Sequence, residues 1–349
     1  MAMRALQRTL AALAACAALT AQAGVGLRQL PAPVEGDGPV TIYYPTAAPD
    51  QPVQRGPFAL QLAVDAPPVR GNGHLVVVSH GSGGNAWVHA DLAGALVDAG
   101  FVVALPEHQG DNARDFSDAG PRSWKRRPAE VSRAIDAVQH DGRFAPLLAL
   151  DSVGMFGMSA GGHTALSLAG GRWSPARLRD HCMAHLDEDF QSCVGLATRL
   201  RGDILDGPKK AIASFVIRQR LDDEHWYTHD DPRVRAVVSG VPFAVDFDPA
   251  SLATTRVPLA LITSGRDAWL TPRFHSGPIL QACLPRCELL ADMATAGHAA
   301  LLSPPPPPEV LGPLARDLLS DPPGFDRGEL VAVHARIVAF FRRHLLSLE

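Results

Sequence analysis

The sequence predicts an α/β fold: a mostly parallel β-sheet with helices on both faces and a small inserted cap. Three observations carry this prediction. Short apolar runs alternate with stretches of helical spacing along most of the chain, the pattern of a sheet buried on both sides. The run "VGMFGM", residues 153–158, leads straight into "SAGGHTALSLAG", so a strand meets a helix at a serine flanked by glycines. Residues 171–232 break the rhythm, being polar, helical in places and without a clear strand. An insertion there belongs above the carboxyl ends of the strands, where such sheets bind ligands.

The elements follow in order. "PVTIYYPT" and "FALQLAV" read as early strands, and "HLVVVSH", residues 74–80, as an apolar strand ending in a glycine-rich turn. "HADLAGALVDAG", residues 89–100, has helical spacing and a glycine stop. "FVVALPEH" is another buried strand. "RPAEVSRAIDAVQ", residues 127–139, reads as a helix with Pro128 near its start. After the insertion come three strands, "RVRAVVSGVPF", "VPLALITSG" and "CELLADM". "RGELVAVHARIVAFFRRHL", residues 327–345, closes the chain as an amphipathic helix, with His334 and His344 expected in solvent. "PPPPP", residues 304–308, is a stiff connector rather than a domain linker, because a structured tail follows.

At 349 residues and 46% hydrophobic content the chain can bury a large core. A net charge of −4, with no basic cluster interleaved with aromatics, argues against a nucleic-acid partner. The first 23 residues read as a signal peptide. Arg4 and Arg8 precede the apolar "LAALAACAALT", and "AQA" offers a cleavage site after Ala23. The apolar run is too short for a transmembrane segment. Residues 24–349 are then one domain, with the cap at about 171–232. Loss of the two leader arginines takes the net charge from −4 to −6. "LAAC" also fits a lipobox, which would anchor a lipoprotein at Cys16. Either route places the protein outside the cytoplasm, in the periplasm or secreted, where disulfides form. Cys182, Cys193, Cys283 and Cys287 allow three pairings, and proximity favours the two local ones.

"GMSAG", residues 157–161, matches G-x-S-x-G, which sets a serine on a sharp strand-to-helix turn. A serine hydroxyl needs a base, and the base an orienting acid. On this kind of sheet the chain order is serine, acid, histidine. His80, His89, His108 and His140 precede Ser159 and drop out, and His163 lies within the elbow helix. His298, in the glycine-marked loop "ATAGHAALL", is the expected base. Asp267, after the strand "LALITS", is the expected acid. Asp246 and Asp248 are runners-up, though Asp248-Pro249 reads more simply as a helix N-cap. The expected oxyanion donors are the amides of Ala160 and of Ser82 in "HGSGG". His225 and His229 in "DDEHWYTHDDP" read as part of a solvated cap loop; no metal site is expected. The low aromatic share, 6%, points to an aliphatic pocket.

"HGSGGNAWVHADLAGALVDAGFVVALPEHQGDN", "VGMFGMSAGGHTAL", "LITSGRDAWLTP", "AGHAALLSP" and "DPPGFDR" together resemble the bacterial predicted dienelactone hydrolases. These are similar to platelet-activating-factor acetylhydrolases within the α/β-hydrolase superfamily. The resemblance covers most of residues 38–345. It implies an α/β-hydrolase fold, no cofactor, and hydrolysis of a small-molecule ester through an acyl-enzyme, with Ser159, Asp267 and His298 at the triad positions. Dienelactone hydrolases proper use a cysteine where this chain has Ser159, which argues against dienelactone as substrate. Small residues follow His298 where relatives carry an aromatic. The expected function is thus that of a serine carboxylic-ester hydrolase for a small or medium acyl ester. Rival readings are a polyester or cutin depolymerase or lipase on the same scaffold, or a hydrolase-like binding protein without catalysis.

Overall fold

The computed structural model describes residues 24–346, so the expected leader and Cys16 lie outside the described residues. The strands are β1 (Gly24–Leu30), β2 (Val40–Thr46), β3 (Gln51–Arg55), β4 (Phe58–Val64) and β5 (Leu75–Ser79). Helix α1 (Ala90–Asp98), β6 (Val102–Pro106) and α2 (Pro121–His140) follow. Next come β7 (Val153–Met158), α3 (Ala160–Leu168), α4 (Pro175–His185), α5 (Phe190–Val194) and α6 (Asp206–Arg220). The chain then forms β8 (Val234–Gly240), β9 (Leu259–Ser264), α7 (Ser276–Cys283), β10 (Glu288–Met293), α8 (Pro313–Leu319) and α9 (Glu329–Leu345).

The strands form one sheet in the order β10-β9-β8-β7-β5-β6-β2-β1-β4-β3. From β10 to β6 every neighbouring pair is parallel. The other end is mixed: β2 runs antiparallel to both β6 and β1, β1 pairs β4 in parallel, and β4 pairs β3 antiparallel. Alternate residues of the central strands face opposite layers. Val77 and Met155 join one core with Trp124, Ile135 and Val138 of α2. Val78 and Phe156 join the other with Leu96 of α1 and Ile337 and Phe341 of α9. Burying both faces is what makes β7 and all of β5 up to its last residue, Ser79, free of polar side chains.

Several expectations need correction. The second helix begins at Pro121, seven residues before Pro128, which sits inside it. An interior proline costs about 3 kcal/mol in an isolated helix. Here the buried contacts of Trp124, Arg127 and Val131 on the same helix outweigh that cost. His334 is not solvated: it lies on the buried face of α9. His344 is half-buried and packs on the Phe340 ring at 4.6 Å. β1, the edge strand β3 and helices α7 and α8 are additional to the elements read from the sequence.

Within residues 171–232 the structure places α4, α5 and α6. The described cysteines pair as Cys182–Cys193 and Cys283–Cys287. The first ties α4 to α5. Among the described residues no helix is long and apolar enough to cross a membrane.

Candidate active site

Adjacent parallel strands end at the same level, and that places the site. Ser79 of β5 is in register with Gly157 of β7. The loop after β5 and the turn after β7 therefore emerge side by side. Ser159 occupies that turn with φ 58° and ψ −118°, a conformation that costs a non-glycine residue about 1–3 kcal/mol. Its surroundings over-determine it. Its amide donates to the Gly240 carbonyl at 3.0 Å, and its carbonyl accepts from the amides of His163 and Phe243. The flanking glycines are required by space. A Cβ on Gly157 would lie 1.9 Å from the Gly161 carbonyl oxygen, and one on Gly161 would lie 2.0 Å from that of Ser79.

His298 follows β10 in a short 3-10 turn, His298–Leu301. Its Nε2 lies 3.0 Å from Ser159 Oγ, and its Nδ1 lies 2.7 Å from Asp267 Oδ2. The network assigns the tautomer: Nδ1–H donates to the carboxylate, and Nε2 accepts from the serine hydroxyl. Asp267 follows β9, and its other oxygen accepts from the amides of Trp269 and Leu270 at 2.9 and 2.8 Å. Both Asp267 and His298 are buried. A hydroxyl, an imidazole with a free lone pair and an oriented carboxylate in series can move a proton off Ser159.

The amide of Ala160 opens α3, where the first N–H groups of a helix have no intrahelical acceptor. Ser82 lies beside Ser159 and His298, lining the same cavities. Its hydroxyl is engaged elsewhere, donating to Asp111 Oδ2 at 3.1 Å.

Asp246 and Asp248 stand apart from His298. Asp246 is fully buried and pairs with His163 Nε2 at 3.1 Å. Asp248 caps the turn Pro249–Leu252, accepting from the Ala250 amide, and pairs with Arg172. The polar loop is spoken for in the same way. His229 bonds Ser132 Oγ at 3.0 Å, Asp230 pairs with Arg256, and Asp223 pairs with Lys125. Lys125 and the Tyr227 hydroxyl hold the Asp223 carboxyl down at about 2.

A second serine–histidine–carboxylate chain lies beneath the site. Ser79 Oγ is 2.7 Å from His108 Nε2, and His108 Nδ1 is 2.5 Å from Glu130. Ser79 and His108 are completely buried, so no substrate reaches that hydroxyl. This chain instead braces the end of β5. His80 continues the brace: its Nδ1–H donates to the Gly81 carbonyl, and its Nε2 accepts from the His108 amide. Burial, then His108 and Arg127, pushes the His80 imidazole well below its usual pKa; burial, then Arg127, does the same to His108.

Two stretches singled out in the sequence turn out to be braces for the loops around Ser159. From "PEHQGDN", Asp111 accepts from the Gly83 amide and the Ser82 hydroxyl, and Arg127 clamps Asp111 from below. From "DPPGFDR", Arg327 pairs with Asp321 and donates to the carbonyls of Leu302 and Ala299, just beyond His298. The contacts that reach the site, Arg127 to Asp111 and Arg327 to the Leu302 and Ala299 carbonyls, join segments 16 to 28 residues apart and carry no local signal. The aromatic lining was likewise unforeseen. The larger cavity over Ser159, about 660 Å³, carries Phe116, Trp124, Phe243 and Trp269. The expectation of an aliphatic pocket holds in part: these four rings share the larger cavity with more numerous aliphatic side chains such as Leu178, Val194 and Leu270, and a second cavity at Ser159 has Phe58 among aliphatic walls. The insertion supplies another wall through Leu178, Val194 and Ile217.

No protein-family model matches the chain, and no curated protein matches it in sequence. Among solved structures it is similar to a ferulic acid esterase from Streptomyces cinnamoneus, with a TM-score of 0.58 and 15% identity. The match covers 95% of this chain and 93% of that one. At that identity the likeness is one of fold: a mostly parallel α/β sheet of the kind esterase hydrolases use.

Proposed function

We propose that the protein is a serine carboxylic-ester hydrolase working through an acyl-enzyme. The observation that carries this reading is the His298 imidazole, set between Ser159 Oγ at 3.0 Å and Asp267 at 2.7 Å. Ser159 Oγ attacks the ester carbonyl carbon while His298 Nε2 takes its proton. Asp267 holds the ring and stabilises the imidazolium. The amides of Ala160 and Ser82 receive the oxyanion. Collapse of that intermediate breaks the bond to the alcohol, which leaves with the proton from His298. Water then attacks the acyl-enzyme, giving its proton to His298, and the acid departs as Ser159 Oγ is reprotonated.

The fold likeness to a ferulic acid esterase supports ester hydrolysis and puts ethyl ferulate in the substrate panel. Narrower membership, among the predicted dienelactone hydrolases and platelet-activating-factor acetylhydrolase-like proteins, rests on the sequence stretches named above. Residues 171–232 act as the cap in this reading, because they wall the cavity over Ser159. The two disulfides support a periplasmic or secreted enzyme, exported by its first 23 residues.

The test is a fluorophosphonate probe together with turnover of nitrophenyl esters. Ser159 of the wild type should be labelled. Ser159→Ala should fold, escape labelling and lose about 10⁶-fold in kcat. Folded wild-type protein that takes no label and turns over no ester would instead be a binding protein.

A further inference from the structure

We infer that the substrate is a neutral ester with an extended apolar group on each side of the ester bond. This rests on the reading of Ser159 as the nucleophile. Two cavities converge on Ser159 and His298, and both also touch Ser82. The larger, about 660 Å³, is walled by Trp124, Leu178, Ile217, Phe243 and Trp269. The smaller, about 430 Å³, is walled by Phe58, Val88, Met158, Leu302 and Leu311. Leu318 of α8 lines both. Each volume lies within the usual range for a small-molecule site. An ester held at Ser159 is therefore offered a separate apolar enclosure for its acyl and for its alcohol portion.

Charge narrows the class further. Among the described residues, no Asp, Glu, Lys or Arg lines the smaller cavity. The larger has only Arg220, which is exposed at the end of α6. A charge carried into the smaller space loses its water with no counter-ion to replace it, and in the larger one only an anion that reaches the exposed Arg220 finds a partner. The aromatic faces of the larger cavity are the one feature able to hold a quaternary ammonium. A choline ester is therefore a necessary control. Apolar groups gain on entry instead: each buried methylene contributes about 0.8 kcal/mol, or about fourfold in kcat/KM.

The experiment compares ethyl esters of lengthening fatty acids, alkyl butyrates of lengthening alcohol, monoethyl suberate and butyrylcholine on the wild-type protein. Expected is a rise of up to about fourfold per methylene on both sides until each cavity fills. Monoethyl suberate should run at least tenfold below ethyl octanoate, and butyrylcholine at least tenfold below a neutral butyrate of similar size. Val216→Trp narrows the larger cavity and Leu311→Trp the smaller. Each should shorten the chain accepted on one side, and the two variants should act on opposite sides. Insensitivity to length on either side, a charged ester matching its neutral counterpart, or both variants acting on the same side would overturn the inference. Fluorophosphonate labelling with turnover confined to charged esters overturns this inference alone. Neither labelling nor turnover overturns the hydrolase reading, and this one with it.

Discussion

Arg127 and Asp111 form a completely buried ion pair, with 2.8 Å between guanidinium nitrogen and carboxylate oxygen. The pair is fully satisfied. Arg127 also donates to the carbonyls of His80 and Asp111 and to Ser123 Oγ, while Asp111 accepts from the Ser82 hydroxyl and the Gly83 amide. Burial works against the Asp111 carboxylate, but the Arg127 charge, with the Gly83 amide hydrogen bond, outweighs it and holds its pKa below the usual value. The pair thus fixes the loop that carries the Ser82 amide. Removing one partner of such a pair leaves a bare charge in the interior. Asp111→Ala should cost about 3–5 kcal/mol of stability in urea denaturation. It should also lower kcat more than it raises KM if the Ser82 amide serves the transition state as proposed. Asp111→Asn keeps an acceptor for the Gly83 amide and should recover part of the kcat. Equal losses in both variants would mean that the loop does not depend on the pair.

Asp267 and Asp246 offer a cleaner contrast. Both are buried and both face a histidine, at 2.7 Å from His298 and 3.1 Å from His163 respectively. Only His298 reaches Ser159. Asp267→Asn removes the group that keeps the proton on Nδ1 and should lower kcat by about 10³–10⁴. Asp246→Asn should leave kcat within about threefold and instead cost about 1–3 kcal/mol, since its hydrogen bond lies in the core. Steady-state kinetics on the two variants decide it, and a comparable kcat loss in both would contradict the assignment.

The contrast also shows what the sequence could and could not disclose. Ser159 was legible because its requirements are local: Gly157 and Gly161 must lack side chains for the turn to close against Ser79. The order of strands and loops then pointed to His298 and Asp267 without any distance being known. Interior strands such as β5 and β7 were equally legible, because burial on both faces gives them near-continuous apolar runs, with Ser79 alone polar at the end of β5. β3 escaped because "QPVQR" is a mostly exposed edge strand with no apolar alternation, fixed only by pairing with β4. The start of α2 escaped because Pro128 mimics a first-turn proline. The roles of Arg127 and Arg327 were not legible, although Arg327 closes the quoted stretch "DPPGFDR". Each acts on carbonyls brought near by folding, His80 for Arg127 and Leu302 and Ala299 for Arg327, which no spacing in the chain records.

The two disulfides should differ in their effect on catalysis. Each closes a short loop, with sequence separations of 11 and 4. Chain entropy gives the first about 3 kcal/mol and the second less. Cys193 and its neighbour Val194 line the larger cavity at Ser159, whereas Cys287 lies with Arg286 and Glu288 in a surface hollow away from it. Cys182→Ser with Cys193→Ser should lower both the melting temperature and kcat/KM for long esters. Cys283→Ser with Cys287→Ser should leave kcat/KM unchanged. Thermal denaturation paired with the ester series reads both effects, and a kinetic change from the second pair alone would reverse the assignment.

Acid should destabilise the protein well before its carboxylates titrate. His89 is fully buried against Phe156, and neither ring nitrogen has a partner. Burial, then the neighbouring His334, pushes its imidazole down to about 3. An unfolded chain protonates the same residue near pH 6.5. Between those values the unfolded state binds the extra proton, so stability is fully present above about 6.5 and is lost as pH falls toward about 3. The slope is up to about 1.4 kcal/mol per pH unit for each such histidine. Asp223 and Asp231, held at about 2, add their own losses only below about pH 4. Glu130, whose carboxyl burial raises, acts in the opposite sense, so the raw slope mixes several groups. Comparison with His89→Leu isolates one of them. The variant should lose stability about 1.4 kcal/mol per unit less steeply than wild type between about pH 4.5 and 6. Urea midpoints measured across that range give the two slopes, and parallel lines would show that His89 is not buried as the neutral ring.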